Sequence, residues 1–440
     1  MNNGIWLWVK ENARLATIGG RWAKELSEST QKNLRWFFLD GILGAGLDGI
    51  ATPFLSLYML ALGATSSQIG QMTSLAGFFG TLMLLPGAML SEHTGKRKLI
   101  FVLCGAGTAR FSILLFALLP FVLARPAAIY VIIVIKIMAD GLGNFSGPAW
   151  TSLAGDIVPL AWRGRYFGSR NFFMSVGSML ATFLAGLLIS HYTSIAGYQV
   201  AFGLAWVAGM TSTFFFLHVK EPKITPAAPG AVTFSIKSVL QTFTEDRFFR
   251  HYAFFSILWN LAIGVGGPYF ILYAVQSLKA TPADVGIYTI AASLSALPAL
   301  RLFGHLSDTW GNRKVMLVTG LLIPLLPLAW ILTRGPLDGV LINIPGGALW
   351  AGFNLAAFNF LLTLAPSEKR ARYAALFQIT VALSSAIGTF LGSLILTHWG
   401  YFPVFALSGI GRFIGIGYFI WFARGGEPKI ERREASSVDC

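Results

Sequence analysis

The sequence LSEHTGKRK at residues 90–98 returns 216 positions later as LSDTWGNRK at residues 306–314. In each copy an apolar run ends, Ser and an acid follow, then come a Gly and two cations, and a second apolar run begins. A buried helix that ends in an acid, a Gly turn and two cations indicates a tight connection stabilised by charge. The repetition therefore predicts that the chain consists of two related halves.

Composition places these halves in a lipid bilayer. The chain has 440 residues, of which 55% are hydrophobic and only 12% are charged, too few charges to cover a soluble surface. The net charge of +14 does not indicate nucleic-acid binding, because the basic residues lie in short loops and form no basic patch. The two cysteines form no disulfide framework. The six histidines are scattered and show no metal-ligand spacing.

Apolar runs long enough to span a membrane follow one another from residue 37 onward. They predict an all-α integral membrane protein with about twelve transmembrane helices in two pseudo-symmetric bundles of six. The predicted domains are an N-terminal arm at 1–36, a first bundle at 37–219, a linker at 220–250, a second bundle at 251–423 and a tail at 424–440. The arm mixes Trp with Lys and Arg, which fits either a segment on the membrane surface or a mobile end.

The distribution of Lys and Arg predicts the orientation. Of the 33 cations, most lie in the arm, the even-numbered loops, the linker and the tail. The opposite loops hold only Arg125, Lys279 and Arg334. By the positive-inside rule, both termini and both Gly turns are expected to face the cytoplasm. The chain is thus predicted to be a multi-pass protein of the cell membrane, and we expect it to work as a monomer.

The repeat extends beyond the two turns. Further pairs recur at offsets of 206 to 216 residues, among them Ala64-Thr65 with Ala280-Thr281 and Thr182-Phe183-Leu184 with Thr389-Phe390-Leu391. Because each copy holds six helices, the second copy enters the membrane in the same orientation as the first. This is a parallel repeat, related by an axis along the membrane normal.

These motifs resemble those of the major facilitator superfamily of secondary transporters. The resemblance covers about residues 37–423 and rests on three stretches: GAMLSEHTGKRK, its copy GHLSDTWGNRK, and GPAWTSLAGDIVPLAWRGR. It implies two six-helix bundles that rock around a central site, which opens to one side of the membrane at a time. It does not imply a particular substrate.

The resemblance also implies a cytoplasmic gate, in which the acid and the Arg of the loop pair with each other and with neighbouring helix ends. Positive-inside topology alone would explain the loop cations but not the acids, which contribute little to topology. The candidate gate residues are Glu92, Gly95, Arg97, Asp156, Arg163 and Arg165, with Asp308, Gly311, Arg313, Arg370 and Arg372 in the second copy.

Charges inside the spans are candidates for coupling, because each costs roughly 2.5–3.5 kcal/mol on insertion scales unless it lines water or finds a partner. Asp48 lies midway along the first span with no cation nearby in sequence, so it could carry a proton, recognise a cation, or pair with Arg110 of the third span. Lys136 and Asp140 stand at i and i+4 and can pair directly, for coupling or for structure. Asp40 lies near the start of the first span and is expected to be solvated.

The superfamily lines its central cavity with the first, fourth, seventh and tenth helices. Polar and aromatic residues on the last three of these helices are therefore candidates for substrate contact. Each could instead form interhelical hydrogen bonds or belong to the interfacial aromatic belt. The candidates are Asn144, Trp150, Trp259, Asn260, Tyr269, Tyr273, Trp350, Asn354 and Asn359.

Other functional classes lack support in the sequence. The GxGxxG pattern at Gly44, Gly46 and Gly49 lies inside a membrane helix with no preceding strand, so it does not indicate a dinucleotide site. No Walker motif, catalytic cluster or cofactor motif appears. The sequence predicts a secondary active transporter of a small organic solute that works by alternating access and is coupled to protons through Asp48, with another coupling ion as the alternative. A passive facilitator and a non-transporting sensor or scaffold on the same fold remain alternatives.

Overall fold

The computed structural model describes residues 15, 17, 18, 20–159, 162–192, 194–221, 246–364 and 370–423. These residues form helices and connecting turns, with no strand among them. Twelve helices are long and apolar enough to cross a membrane, which confirms the predicted all-α membrane fold. The predicted linker at 220–250 is described only at its two ends, and the predicted tail at 424–440 lies outside the described residues.

The twelve helices follow one another with short connections. The first six are α1 (Glu28–Leu62), α2 (Ser66–Thr94), α3 (Arg97–Val122), α4 (Arg125–Ile157), α5 (Arg163–His191) and α6 (Ala196–Leu217). The other six are α7 (Arg247–Gln276), α8 (Pro282–Trp310), α9 (Asn312–Ile331), α10 (Pro336–Leu364), α11 (Arg370–Trp399) and α12 (Tyr401–Ala423).

The first helix begins earlier than the apolar run suggests. α1 starts at Glu28 and not near residue 37, because Ser27 caps it: the Ser27 hydroxyl oxygen accepts a hydrogen bond from the Thr30 amide at 3.3 Å. The polar residues 28–36 are therefore the first turns of a long helix. Asp40 lies more than three turns inside that helix, which matters for its environment below.

The described residues belong to two compact units, one within Met1–Ala231 plus Ile271–Ile290 and the other within Val232–Phe270 plus Ala291–Cys440. In the first unit, α1 packs against α5 and α6, and α2 packs against α4. In the second unit, the part of α7 from Arg247 to Gly266 packs against α11 and α12, and α9 packs against α10. α1 and α7 thus each have two helices packed along them.

The sequence repeat has a counterpart in local structure. Thr65 and Gln68 cap α2 with a reciprocal pair of hydrogen bonds between side chain and backbone, and Thr281 and Asp284 cap α8 in the same way. The two Gly turns also match, since Gly95 has φ 63° and Gly311 has φ 85°, a left-handed region that glycine adopts without strain.

Many large apolar side chains remain exposed on the helices. Phe121, Val122, Leu332 and Leu337 are each at least 74% exposed, and similar side chains occur on other helices of both units. A soluble protein would not leave so much apolar surface in water. A bilayer covers such surface, as expected for a multi-pass membrane protein.

Small residues allow close helix contact within each unit. A Cβ atom on Gly388 of α11 would overlap the carbonyl oxygen of Leu261 on α7. The Thr389 hydroxyl next to it donates to the Gly264 carbonyl oxygen at 3.3 Å. In the first unit, Thr182 of α5 donates to the Gly49 carbonyl oxygen of α1 at 2.6 Å. Backbone approach through small residues is the usual means of helix association in lipid.

We predict that Gly388→Ala lowers the Tm of the purified protein in detergent, because the added methyl group must push α7 and α11 apart. Gly417→Ala on α12 is the matched control, since no atom lies within 4 Å of a Cβ placed there. That control is expected to keep or raise the Tm, because Ala has about 1 kcal/mol better helix propensity than Gly. Equal Tm values for the two variants would show that the close contact is unimportant.

Candidate functional site

The first unit contains a buried charged network that joins four helices. Asp40 of α1 is 5% exposed. Ser212 of α6 donates its hydroxyl to the Asp40 carboxylate, with Oγ 2.7 Å from Oδ1. The guanidinium of Arg170 on α5 lies 3.8 Å from the other carboxylate oxygen. Together with Arg110 of α3, these residues form what we call the Asp40 network.

Both arginines of the network are also held by backbone carbonyls. Arg110 donates to the Gly209 and Ala106 carbonyl oxygens at 3.1 and 3.2 Å and to the Ser212 hydroxyl at 3.1 Å. Arg170 donates to the Phe37 carbonyl oxygen at 3.2 Å. Its guanidinium also lies over the Phe37 ring, 4.3 Å from the centroid. Both buried guanidinium groups are thus hydrogen-bonded, and Arg170 is also paired with the carboxylate of Asp40, as burial in an apolar bundle requires.

The expectation that Asp40 is a solvated end residue was wrong. The residue was judged from a helix start near residue 37, whereas the Ser27 cap starts α1 three turns before it. Arg170 was missed because it stood between two predicted spans, although it is buried within α5. Two signals could have found the network: the capping Ser27, and Gly41, whose missing side chain leaves room for the Arg170 guanidinium.

Asp48, two turns further along α1, has a different environment. Its side chain is exposed and forms no hydrogen bond or ion pair with any described residue. The cations that act on it electrostatically are Arg110 and Lys136. Arg110 also attracts Asp40, so the charge of one buried arginine affects both acids of α1.

The predicted pairing of Lys136 with Asp140 is present on α4. The ammonium lies 2.6 and 2.8 Å from the two carboxylate oxygens, and each side chain is about a third exposed. One turn further on, Asn144 donates to the Asp140 carbonyl oxygen at 2.9 Å while its side chain stays exposed. Because this ion pair is accessible to solvent, it is weaker and easier to open than a buried pair.

A second charged cluster surrounds the Gly95 turn between α2 and α3. Arg97 is 3% exposed and lies 2.6 Å from the Asp156 carboxylate of α4 and 3.4 Å from Glu221. It also donates to the Ser152 hydroxyl at 2.8 Å. These contacts tie the start of α3 to the end of α4. The sequence predicted Arg97 and Asp156 for this cluster, whereas Glu221 and Ser152 are additional members.

The other predicted gate residues are less fully described. The side chains of Glu92, Asp308, Arg163, Arg165, Arg370 and Arg372 lie outside the described residues, so their role as gate residues stays a prediction. In the second unit, Gly311 makes the predicted turn. Arg313, which follows it, has a buried Nε with no acceptor among the described residues.

The candidates for substrate contact have unequal exposure. Trp150 packs into the first unit's core near Phe37. Trp259 is 2% exposed and stacks on Phe353 with centroids 4.7 Å apart. Tyr269 is fully buried and donates to the Thr389 carbonyl oxygen at 3.0 Å. These contacts assign packing roles to three of the aromatic candidates, whether or not they also meet a substrate.

The remaining candidates keep some accessible surface. Asn260 donates to the Ser256 carbonyl oxygen at 2.9 Å, and Asn354 is exposed with no hydrogen bond to a described residue. Partly exposed positions are Tyr273, Trp350 and Asn359. Their role in substrate contact stays a prediction. Within the described residues, no group of three or more His, Cys, Asp and Glu side chains could hold a metal ion.

The sequence of the chain is similar to those of known membrane transporters. The model of the Major Facilitator Superfamily matches residues 38–342 and 255–438. An uncharacterized MFS-type transporter of Methanocaldococcus jannaschii is 23% identical over 77% of this chain and 85% of its own length. Multidrug resistance protein MdtG of Salmonella dublin is 21% identical over 86% of this chain and 92% of its own.

Solved structures show the same fold. The crystal structure of the nucleoside transporter NupG superposes with a TM-score of 0.65 at 15% identity, covering 90% of this chain and 99% of the other. At this identity the likeness concerns the arrangement of the helices and not the solute that they carry.

We predict that Asp40→Asn strongly destabilises the protein, because Arg110 and Arg170 would keep their buried charges without the neutralising carboxylate. Removing one partner of a buried ion pair costs about 3–5 kcal/mol, which thermal unfolding in detergent should register as a large fall in Tm. Asp48→Asn, on the same helix but unpaired, is the control and should change the Tm little. A similar Tm for both variants would contradict a stabilising role of the network.

Proposed function

The chain belongs to the Major Facilitator Superfamily and is a multi-pass membrane transporter, and from this premise we propose that it moves a small organic solute by proton-coupled secondary transport, with Asp48 as the coupling group. The observation that carries the proposal is the contrast between two acids on one helix. Asp40 is enclosed by Ser212 and Arg170, whereas Asp48 is exposed and unpaired among the described residues.

A coupling carboxylate has to exchange its proton within every transport cycle. An acid fixed by a hydroxyl and a guanidinium loses that stabilisation if it is protonated, so Asp40 is poorly suited to the task. Asp48 has no such contact to break. When it is ionised, it attracts Arg110 and Lys136; when it is protonated, that attraction disappears. Protonation of Asp48 therefore changes the forces between α1, α3 and α4.

The pair on α4 provides a route for this change. Lys136 is attracted by Asp48 and is paired with Asp140 at 2.6 Å. When Asp48 is protonated, Lys136 is attracted only by Asp140. When Asp48 is ionised again, it competes with Asp140 for the Lys136 ammonium group. Moving one exposed Lys side chain between two carboxylates changes the free energy little, as expected for a step that must reverse in each transport cycle. Asp140 is the second candidate for the proton.

The solute class remains broad in this proposal. The relative named multidrug resistance protein MdtG supports export of drug-like organic compounds over uptake of nutrients. The fold is shared with a nucleoside transporter, so the helix arrangement by itself does not favour one solute. A transport assay therefore needs a panel that includes sugars, organic acids and cationic drugs.

We predict that Asp48→Asn abolishes proton movement driven by the solute but preserves solute exchange. The measurement uses the full-length protein in liposomes that contain a pH-sensitive dye, with labelled solute to follow counterflow. General acid–base groups contribute at least about a hundredfold to a rate, so we expect a fall of that order in proton flux. Counterflow should persist because Asn resembles the protonated carboxyl group and leaves the fold intact.

Asp338→Asn is the matched control for this experiment. Asp338 lies in the first turn of α10, where its carboxylate accepts from the Arg334 and Gly335 amides at 2.6 and 3.1 Å, and the side-chain carbonyl oxygen of Asn can accept the same hydrogen bonds. The control should retain the proton flux. Undiminished flux in Asp48→Asn would overturn the assignment, flux lost only in Asp140→Asn would transfer it to α4, and solute transport without protons would favour a facilitator.

A further inference from the structure

The second unit contains a buried arginine whose charge has no acidic partner. Arg412 of α12 is 2% exposed and forms no ion pair with any described residue. Its Nε has no hydrogen-bond acceptor among those residues. The group that it does contact is the ring of Trp350 on α10, whose centroid lies 5.8 Å from the guanidinium carbon.

The position of Arg412 along its helix prevents it from reaching water at a membrane surface. It is the middle residue of α12 (Tyr401–Ala423), about 16 Å from either end at a rise of 1.5 Å per residue. Long cationic side chains near helix ends extend to the interface, but the reach of an arginine is much less than this distance. Its charge must therefore be stabilised inside the unit.

Two buried arginines of the first unit show how this chain normally stabilises such a charge. Arg110 and Arg170 have backbone carbonyl acceptors and share the Asp40 carboxylate directly or through Ser212. Arg412 has neither kind of contact with a described residue. Other buried arginine nitrogens also lack an acceptor, such as one of Arg97. Arg97 nevertheless has two ion pairs, whereas Arg412 has none with a described residue, and a buried charge without a partner is costly.

A second buried donor without an acceptor belongs to a residue that contacts the same tryptophan. The indole Nε1 of Trp259 on α7 is buried and has no acceptor among the described residues. Trp259 contacts the same Trp350, with ring centroids 6.3 Å apart. Arg412 and Trp259, each with a buried N–H donor that lacks an acceptor, thus both contact Trp350.

We propose that Arg412, Trp259 and Trp350 form a binding site for the carboxylate group of a small aromatic acid. Both orphaned groups are donors, so the ligand has to bring acceptors. A carboxylate matches the fork of a guanidinium, and its single negative charge neutralises Arg412 without leaving an excess charge in apolar surroundings. The Trp350 ring offers a surface on which an aromatic ring can stack.

The same helix provides a side from which the ligand can enter. Trp350 is only partly buried, and Asn354 stands one turn further along α10, on the same face. Asn354 is exposed and has no hydrogen bond to a described residue. It can therefore meet a polar substituent at the exposed edge of the site while the carboxylate reaches Arg412.

This inference rests on the proposed transport function only in taking the bound acid to be a transported solute. Binding is measured separately from proton flux, so the two proposals can fail independently. If Asp48→Asn leaves proton flux intact while benzoate binding depends on Arg412, the coupling proposal fails and this one stands. If benzoate binding is absent from the wild type, this one fails whatever the flux assay shows.

The test is equilibrium binding of labelled benzoate to the purified full-length protein. We expect saturable binding to the wild type, no competition by benzamide, which has the same ring without the charge, and binding at least about tenfold weaker in Arg412→Met and Arg412→Lys. Arg334→Met is the matched control, since Arg334 is exposed outside this site, and its binding should equal that of the wild type. Competition by benzamide as strong as that by unlabelled benzoate, or unchanged binding in both Arg412 variants, would overturn the proposal.

Thermal stability distinguishes a ligand site from a structural contact. Because Arg412 is a buried charge without a partner, Arg412→Met is expected to keep or raise the Tm of the ligand-free protein. Arg170→Met removes a satisfied arginine and leaves Asp40 without its cation, so it should lower the Tm. A fall in Arg412→Met as large as that in Arg170→Met would mean that Arg412 serves the fold and would refute the binding site.

Discussion

A charge in the middle of a membrane-spanning helix must find its partner within the helix bundle, because lipid supplies neither hydrogen bonds nor counter-charges. This constraint explains the first unit. Asp40 on α1 accepts a hydrogen bond from Ser212 and forms an ion pair with Arg170, and Arg110 donates to the same Ser212 hydroxyl. The network thus connects α1 with α5 and α6 directly and with α3 through Ser212.

The constraint applies differently in the two repeats. At an offset of 215, which pairs Gly49 with Gly264, Asp40 corresponds to Phe255, and at an offset of 207 Arg170 corresponds to Phe377. Phe377 stacks on Tyr252 with centroids 5.2 Å apart, so the second unit replaces an ion pair by aromatic packing. The helix contacts that involve only small residues and backbone carbonyls persist, as Thr182 and Thr389 show. The two halves therefore differ more in their charged residues than in the helix contacts made by small residues and backbone carbonyls.

This division of roles gives each unit a distinct chemistry. In the first unit the buried guanidinium groups of Arg97 and Arg170 have acidic partners, whereas the carboxylate of Asp48 has no partner among the described residues. In the second unit, the buried donors without an acceptor among the described residues include those of Arg412, Trp259 and Arg313. A transporter that couples protons to a solute needs both a carboxylate that exchanges protons and a site that binds the solute. Neither Asp48 nor Arg412 belongs to the Asp40 network, so that network does not have to rearrange when a proton or the solute binds.

The class, the twelve helices and the repeat can be predicted from the sequence alone, because these depend on run length, loop charge and short local motifs such as the Gly turns. The Lys136–Asp140 pair is also predictable, since i and i+4 residues of one helix are neighbours wherever the helix lies. Which charges meet across helices depends instead on tertiary packing. Asp40 and Arg170 are far apart in the chain, and their contact depends on how α1 packs against α5. For the same reason, tertiary packing decided that Trp259 and Tyr269 are buried and that Arg412 has no acidic partner among the described residues.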